Sequence, residues 1–176
     1  MVGAYVGLLV LVGVERLAEL VISRRNAREA IARGGREFGR AHFPALAIMH
    51  ALFLPACALE VILLDRPFTP WLGASMLVVA LAAQALRYWA VSTLGHRWNV
   101  RIIVEPGVPL VTGGPYRLVR HPNYVAVALE GVALPLVHTA WITAIAFTLL
   151  NAWILLRVRI PAEEQALALC AAETDD

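Results

Sequence analysis

Lysine is missing from this chain: all 15 of its fixed cations are arginine. The bias itself says little about function, but the placement says more. The arginines are scattered over separate polar segments instead of one face, which argues against a nucleic-acid partner. Cysteine is almost absent as well. Cys57 lies inside an apolar run and Cys170 near the C-terminus, with no CxxC or Cys/His spacing around either. That excludes a disulfide framework, and no metal is implied. Internal repeats and low-complexity stretches are also lacking. The N-terminus has no basic stretch of the kind that opens a secretory signal peptide, and its apolar run reaches Ile22. It therefore reads as a helix of the mature chain.

What the chain has in excess is apolar sequence. Of its 176 residues 60% are hydrophobic, and the mean hydropathy is +0.69. Soluble domains average ~45–50%, so the composition points to one polytopic membrane domain over residues 1–176. Crossing a ~30 Å hydrocarbon core takes about 20 residues. The apolar runs predict an all-α integral membrane fold of five transmembrane helices, near 2–22, 43–64, 71–94, 122–136 and 140–160. His138 and Thr139 are the turn candidates between the last two. A short helix over 161–172 follows, started by Pro161, and an acidic tail closes the chain. Arginines crowd segment 23–42, the connection 95–121 and the end of the fifth run, whereas the opposite side holds only Arg66. The positive-inside rule then places the N-terminus outside, and the C-terminus and long connection in the cytoplasm, most naturally at a bacterial plasma membrane.

That connection, "HRWNVRIIVEPGVPLVTGGPYRLVRHPNY", is long for so small a protein. Pro106-Gly107, Gly113-Gly114-Pro115 and His121-Pro122 are turn signals. Val108–Val111 and Leu118-Val119 are apolar and predict packing against the membrane-side core. A packed, polar, glycine-rich loop is where a ligand site is expected. The run "PLVTGGPYRLVRHPNY", a hydrophobic hairpin, and then "RVRIPAEEQAL" resemble the isoprenylcysteine carboxyl methyltransferase family. The resemblance covers about residues 95–168.

The resemblance implies an S-adenosylmethionine-dependent membrane methyltransferase whose cofactor pocket is formed by this loop and the C-terminal helix. Its cofactor positions fall on Leu110, Val111, Tyr116, His121, Pro122, Asn123, Tyr124 and Glu163, and its reacting-centre arginine on Arg159. Where the family has a histidine before the Leu-Val pair, this chain has Val108-Pro109. The residue types suit the ligand. Glu163 could receive an ammonium, Tyr116 and Tyr124 offer aromatic faces to adenine or a sulfonium, and backbone N–H groups of the turn could hold a carboxylate. Methyl transfer is an in-line displacement that depends on positioning, and Arg159 could orient an anionic acceptor.

Ionisable residues inside spans are costly and tend to be paired or functional. Glu130 either pairs with Arg87 or faces the acceptor as a second catalytic candidate. Glu15 and Glu19 share one helical face, with Arg16 as a partner for Glu19. The motif is closest to a small bacterial branch of the family associated with type III polyketide synthases. It implies a lipophilic acceptor met among membrane lipids, with the hydroxyl of a long-chain alkylpyrone or alkylresorcinol favoured. The alternatives are a prenylcysteine carboxylate, a phospholipid amine, or a non-enzymatic small membrane protein.

Overall fold

The computed structural model describes residues 1–172, so the last residues of the acidic tail lie outside the described part of the chain. Helix α1 (Val2–Ala32) has 31 residues and rises about 46 Å. It does not stop at Ile22, as the hydropathy predicted, but carries on through Arg24, Arg25 and Arg28. Arginine, glutamate and alanine are good helix formers. The helix ends only where Gly34, at φ +91°, turns the chain.

Strand β1 (Arg36–Phe38) follows and pairs antiparallel with β2 (Ile102–Val104) in the long connection, with Glu37 opposite Ile103. This ribbon is the one departure from an all-helical fold among the described residues. Ile102-Ile103-Val104, a β-branched run, is its sequence signal. Helix α2 (Phe43–Leu63) and helix α3 (Pro70–Leu94) each begin with a proline in the first turn, where a missing N–H costs nothing.

Helix α4 (Pro122–Leu136) also starts on a proline and has 15 residues, a rise of only about 22 Å. The turn after it is buried: Thr139 takes φ +57°, and its hydroxyl donates to the Pro67 carbonyl at 2.5 Å. Helix α5 (Trp141–Ile154) returns alongside α4. Gly131 makes that pairing close, since a Cβ there would sit 2.8 Å from the Phe147 ring. Tyr5, Phe53, Cys57, Val61, Leu134 and Phe147 belong to the apolar core between α1, α2, α4 and α5.

The C-terminal helix is not a separate piece. Helix α5 continues through a π-turn over Leu155–Arg159 into α6 (Ile160–Ala172). Pro161 cannot donate to the carbonyl four residues earlier, and the wider turn falls just ahead of it. Such turns recur at functional sites, and this one carries Arg159. Three helical stretches are long and apolar enough to cross a membrane: Phe43–Leu63, Pro70–Arg97 and Trp141–Cys170. The helix α1 is long enough but has Glu15, Arg16 and Glu19 at mid-length, and α4 is short.

Candidate active site

The cytoplasm-predicted connection is tied to the end of α1. The Asn26 amide donates to the carbonyls of Trp98 (2.8 Å) and Gly95 (3.3 Å), and the Ser23 hydroxyl accepts the Val100 N–H at 3.0 Å. Further along, Arg33 makes a two-pronged contact with Glu105, 2.7 Å on each side, and Arg97 donates to the Pro109 carbonyl at 2.8 Å. The hydrogen bond from Arg33 holds the Glu105 carboxyl below its ordinary range. With the backbone so fixed, the Val100 carbonyl accepts from Arg159 Nη2 at 2.5 Å.

The Gly113–Tyr116 turn is pressed onto the end of α3. Gly114 adopts φ +55°, and a Cβ there would lie 2.5 Å from Thr93 Oγ1 and 3.1 Å from Trp89 Nε1, so only glycine fits. The turn delivers Tyr116 to the cavity. Burial first, and the nearby Glu163 charge second, push its phenol up to about 12.

Four side chains from three elements then meet. His121 caps α4 and stacks on Tyr124, ring centroids 5.4 Å apart. The Tyr124 hydroxyl donates to the Glu163 carboxylate and accepts from Arg159 Nε at 3.0 Å. His121 lies 3.8 Å from Glu163 and 3.5 Å from Glu164. The Glu163 carboxylate beside it raises its proton affinity above that of an ordinary histidine, against the opposing effect of burial. Arg159 is 4% exposed, whereas Arg157 points outward. Arg120 is exposed too and lies 3.4 Å from Glu164.

A cavity of about 810 Å³ runs from this cluster into the bundle. Leu110, Val111, Tyr116, His121, Pro122, Asn123, Tyr124, Glu163, Arg159 and Glu130 all line it. Its far walls are apolar and come from α1 and α2, with Leu9, Val10, Gly13 and Leu17 facing Leu46, Ala51 and Leu54. The sequence had not marked these walls as part of a site, because apolar residues in a membrane helix carry no sign of which face meets a ligand. Arg101 also lines the cavity, but it is engaged with Glu37 at 3.4 Å and lies over the Phe43 ring, 5.2 Å from its centroid.

Of the two readings of Glu130, the pair with Arg87 does not form, and Glu130 lines the cavity. Glu130 accepts from Arg16 Nη2 at 2.9 Å, while Arg87 grips Glu19 with bonds of 2.7 and 2.6 Å and reaches Asn123 at 3.2 Å. Arg16 also bonds Glu19, at 2.7 Å, and lies 3.9 Å from Glu15. Three carboxylates thus share two guanidiniums. Span order alone does not reveal that long side chains of α1 reach α3 and α4.

Residues 76–169 match the Isoprenylcysteine carboxyl methyltransferase (ICMT) family, and the chain belongs to that family. It is 43% identical over 155 residues to the "Uncharacterized protein YpbQ" of Bacillus subtilis, an alignment covering 88% of this chain and 90% of that one. It is 34% identical over 90 residues to a "Probable protein-S-isoprenylcysteine O-methyltransferase" of Oryza sativa subsp. indica, covering 50% of this chain and 47% of the rice protein. With "Protein-S-isoprenylcysteine O-methyltransferase A" of Arabidopsis thaliana the identity is 30% over 99 residues, covering 55% and 50%. The chain therefore spans about half the length of these plant relatives. Family and apolar helices together define a membrane methyltransferase.

Proposed function

We infer that the protein transfers a methyl group from S-adenosylmethionine to an oxygen of a lipophilic acceptor drawn from the membrane. The observation that carries this reading is one continuous cavity, polar where His121, Tyr124, Arg159 and Glu163 meet and apolar where α1 and α2 wall it. The residues fit the methyl donor. About 810 Å³ is within the range of small-molecule pockets, and the donor end offers one carboxylate, one imidazole and two aromatic faces.

S-Adenosylmethionine, when bound, supplies an electrophilic methyl group. Glu163 would take its ammonium, and the faces of Tyr116 and Tyr124 would lie toward the cationic sulfur. His121 and the N–H groups of the Gly113-Gly114 turn would hold carboxylate or ribose oxygens, with Leu110, Val111, Pro122 and Asn123 completing the pocket. Arg159 binds on the acceptor side. Two of its five N–H donors are committed to Tyr124 and Val100; the others orient the attacking oxygen.

The family match begins at residue 76, so the apolar walls supplied by Leu9, Leu17, Leu46 and Leu54 lie outside it. The family match alone therefore does not carry over the acceptor of the plant relatives. We favour the hydroxyl of a long-chain alkylpyrone or alkylresorcinol, the product class of a type III polyketide synthase. Such a hydroxyl must lose a proton, and Glu130 is a cavity carboxylate in a cluster with more carboxylates than guanidiniums. A prenylcysteine-like carboxylate is the second reading, favoured by the printed names of the plant relatives.

The orientation that fits is N-terminus outside and active site cytoplasmic, with five spans. Its support is that the arginine-bearing segments are joined at one end, through β1–β2, Asn26–Trp98 and Arg159–Val100. The test is transfer of labelled methyl from S-adenosylmethionine to an alkylresorcinol, an alkylpyrone and a prenylcysteine derivative, each in micelles with the purified protein. Transfer to none of the three would reject O-methylation of these lipids.

A further inference from the structure

We propose that Glu19 and Arg87 are positioning residues for the methyl-donor pocket, acting through Asn123. The proposal rests on the donor-site reading above. Arg87, on α3, is 6% exposed. Its Nε and Nη2 bond the two oxygens of Glu19, at 2.7 and 2.6 Å, and its Nη1 donates to Asn123 Oδ1 at 3.2 Å.

A guanidinium only donates, so the Asn123 amide can meet it only with its oxygen. The amide nitrogen is then left for the cavity that Asn123 lines, and it has no hydrogen-bond partner among the described residues. Arg87 thus decides which end of Asn123 a ligand meets: a donor, suited to a carboxylate or hydroxyl oxygen. The two-pronged bond to Glu19 fixes the plane of the guanidinium. Glu19 is itself held by Arg16 at 2.7 Å.

Asn123 lies between His121 and Tyr124 in the chain, and all three line the same cavity as Glu163. Arg87 and Asn123 fall within the family match, whereas Glu19 comes from α1, outside it. Holding helices together does not by itself require this arrangement, because a buried ion pair exchanged for apolar side chains of similar volume is often neutral or stabilising.

That contrast gives the test. The full-length protein in detergent micelles is titrated with S-adenosylhomocysteine by calorimetry, and its melting temperature is followed in parallel. The double variant Glu19→Leu with Arg87→Met removes both charges together and frees the Asn123 amide to turn. It should melt within a few degrees of the parent, yet bind about three- to tenfold more weakly, the size expected for one hydrogen bond. Asn123→Asp keeps an oxygen for Arg87 but removes the donor, and should weaken binding at least as much with little change in melting. If the double variant does not fold, the milder charge-neutral pair Glu19→Gln with Arg87→Gln, which no longer presents donors alone to Asn123, is measured in its place. Parent-like affinity in a folded double variant, or in Asn123→Asp, overturns the proposal. Absence of binding by the parent protein would instead reject the donor site itself, and the proposal with it.

Discussion

Removal of the Arg159 side chain is the most informative single perturbation. The guanidinium is 4% exposed and bonds the Val100 carbonyl at 2.5 Å and the Tyr124 hydroxyl at 3.0 Å. Arg159→Ala deletes both contacts and, on the proposed mechanism, the donors that face the acceptor oxygen. A charge-assisted hydrogen bond is worth about 1.5–3 kcal/mol, or about ten- to a hundredfold. The attacking oxygen loses negative charge as the new bond forms, so the guanidinium contributes by holding that oxygen in line with the methyl group. Turnover should therefore fall by about 10². The donor side suffers less, because Tyr124 keeps its bond to Glu163 and its stacking on His121. Affinity for S-adenosylhomocysteine should drop by less than about tenfold, the loss of one ordinary hydrogen bond. Single-turnover methyl transfer and calorimetry on the same preparation separate the two effects. Arg157→Ala, at an outward-facing position two residues away, should change neither. Equal losses in affinity and rate would move Arg159 to the donor pocket, and normal turnover would remove it from the reacting centre.

Glu130→Gln keeps the bond to Arg16 possible while removing the proton acceptor. With a phenolic or enolic acceptor turnover should fall ~10²–10⁴-fold and recover as pH rises and the acceptor ionises unaided; a flat pH response in the pH–rate profile would remove the base role. His121 has a raised proton affinity in the fold because of Glu163. Its contribution to stability should be complete below the ordinary value of ~6.5 and be lost as pH climbs through the raised one. The melting temperature should thus decline over that interval in the parent protein and less so in His121→Gln; identical slopes would show that the contact carries no linkage. For the orientation, Leu64→Cys should react with an impermeant thiol reagent in intact cells and Arg28→Cys should not. Both positions are exposed in the fold, and the reverse pattern would invert the topology.

The helices were legible where one residue type speaks for itself. The apolar runs mark the bodies of α2, α3 and α4, whose starts the structure places at Phe43, Pro70 and Pro122. The meeting of His121, Tyr124, Arg159 and Glu163 was legible because they lie in one short motif and one helix start, so chain proximity stood in for spatial proximity. What lay hidden depends on how distant segments meet. The reach of α1 past the membrane run, the Ser23 and Asn26 bonds to the long connection, and the β1–β2 ribbon all join segments more than sixty residues apart. The same reason explains the exchange of partners inside the bundle, where Arg16 takes Glu130 and leaves Arg87 to Glu19 and Asn123. The merging of α5 with α6 was missed because Pro161 reads equally well as a helix start and as the cause of a wide turn.

The account rests on the cavity end built by His121, Tyr124, Arg159 and Glu163 being a methyl-donor site. Calorimetric titration of S-adenosylhomocysteine into the purified protein and into Glu163→Ala tests this most directly. The prediction is one-to-one binding by the parent, weakened about ten- to a hundredfold when the carboxylate that receives the ammonium is removed. No binding by the folded parent, or equal affinity in a folded Glu163→Ala protein, would contradict it.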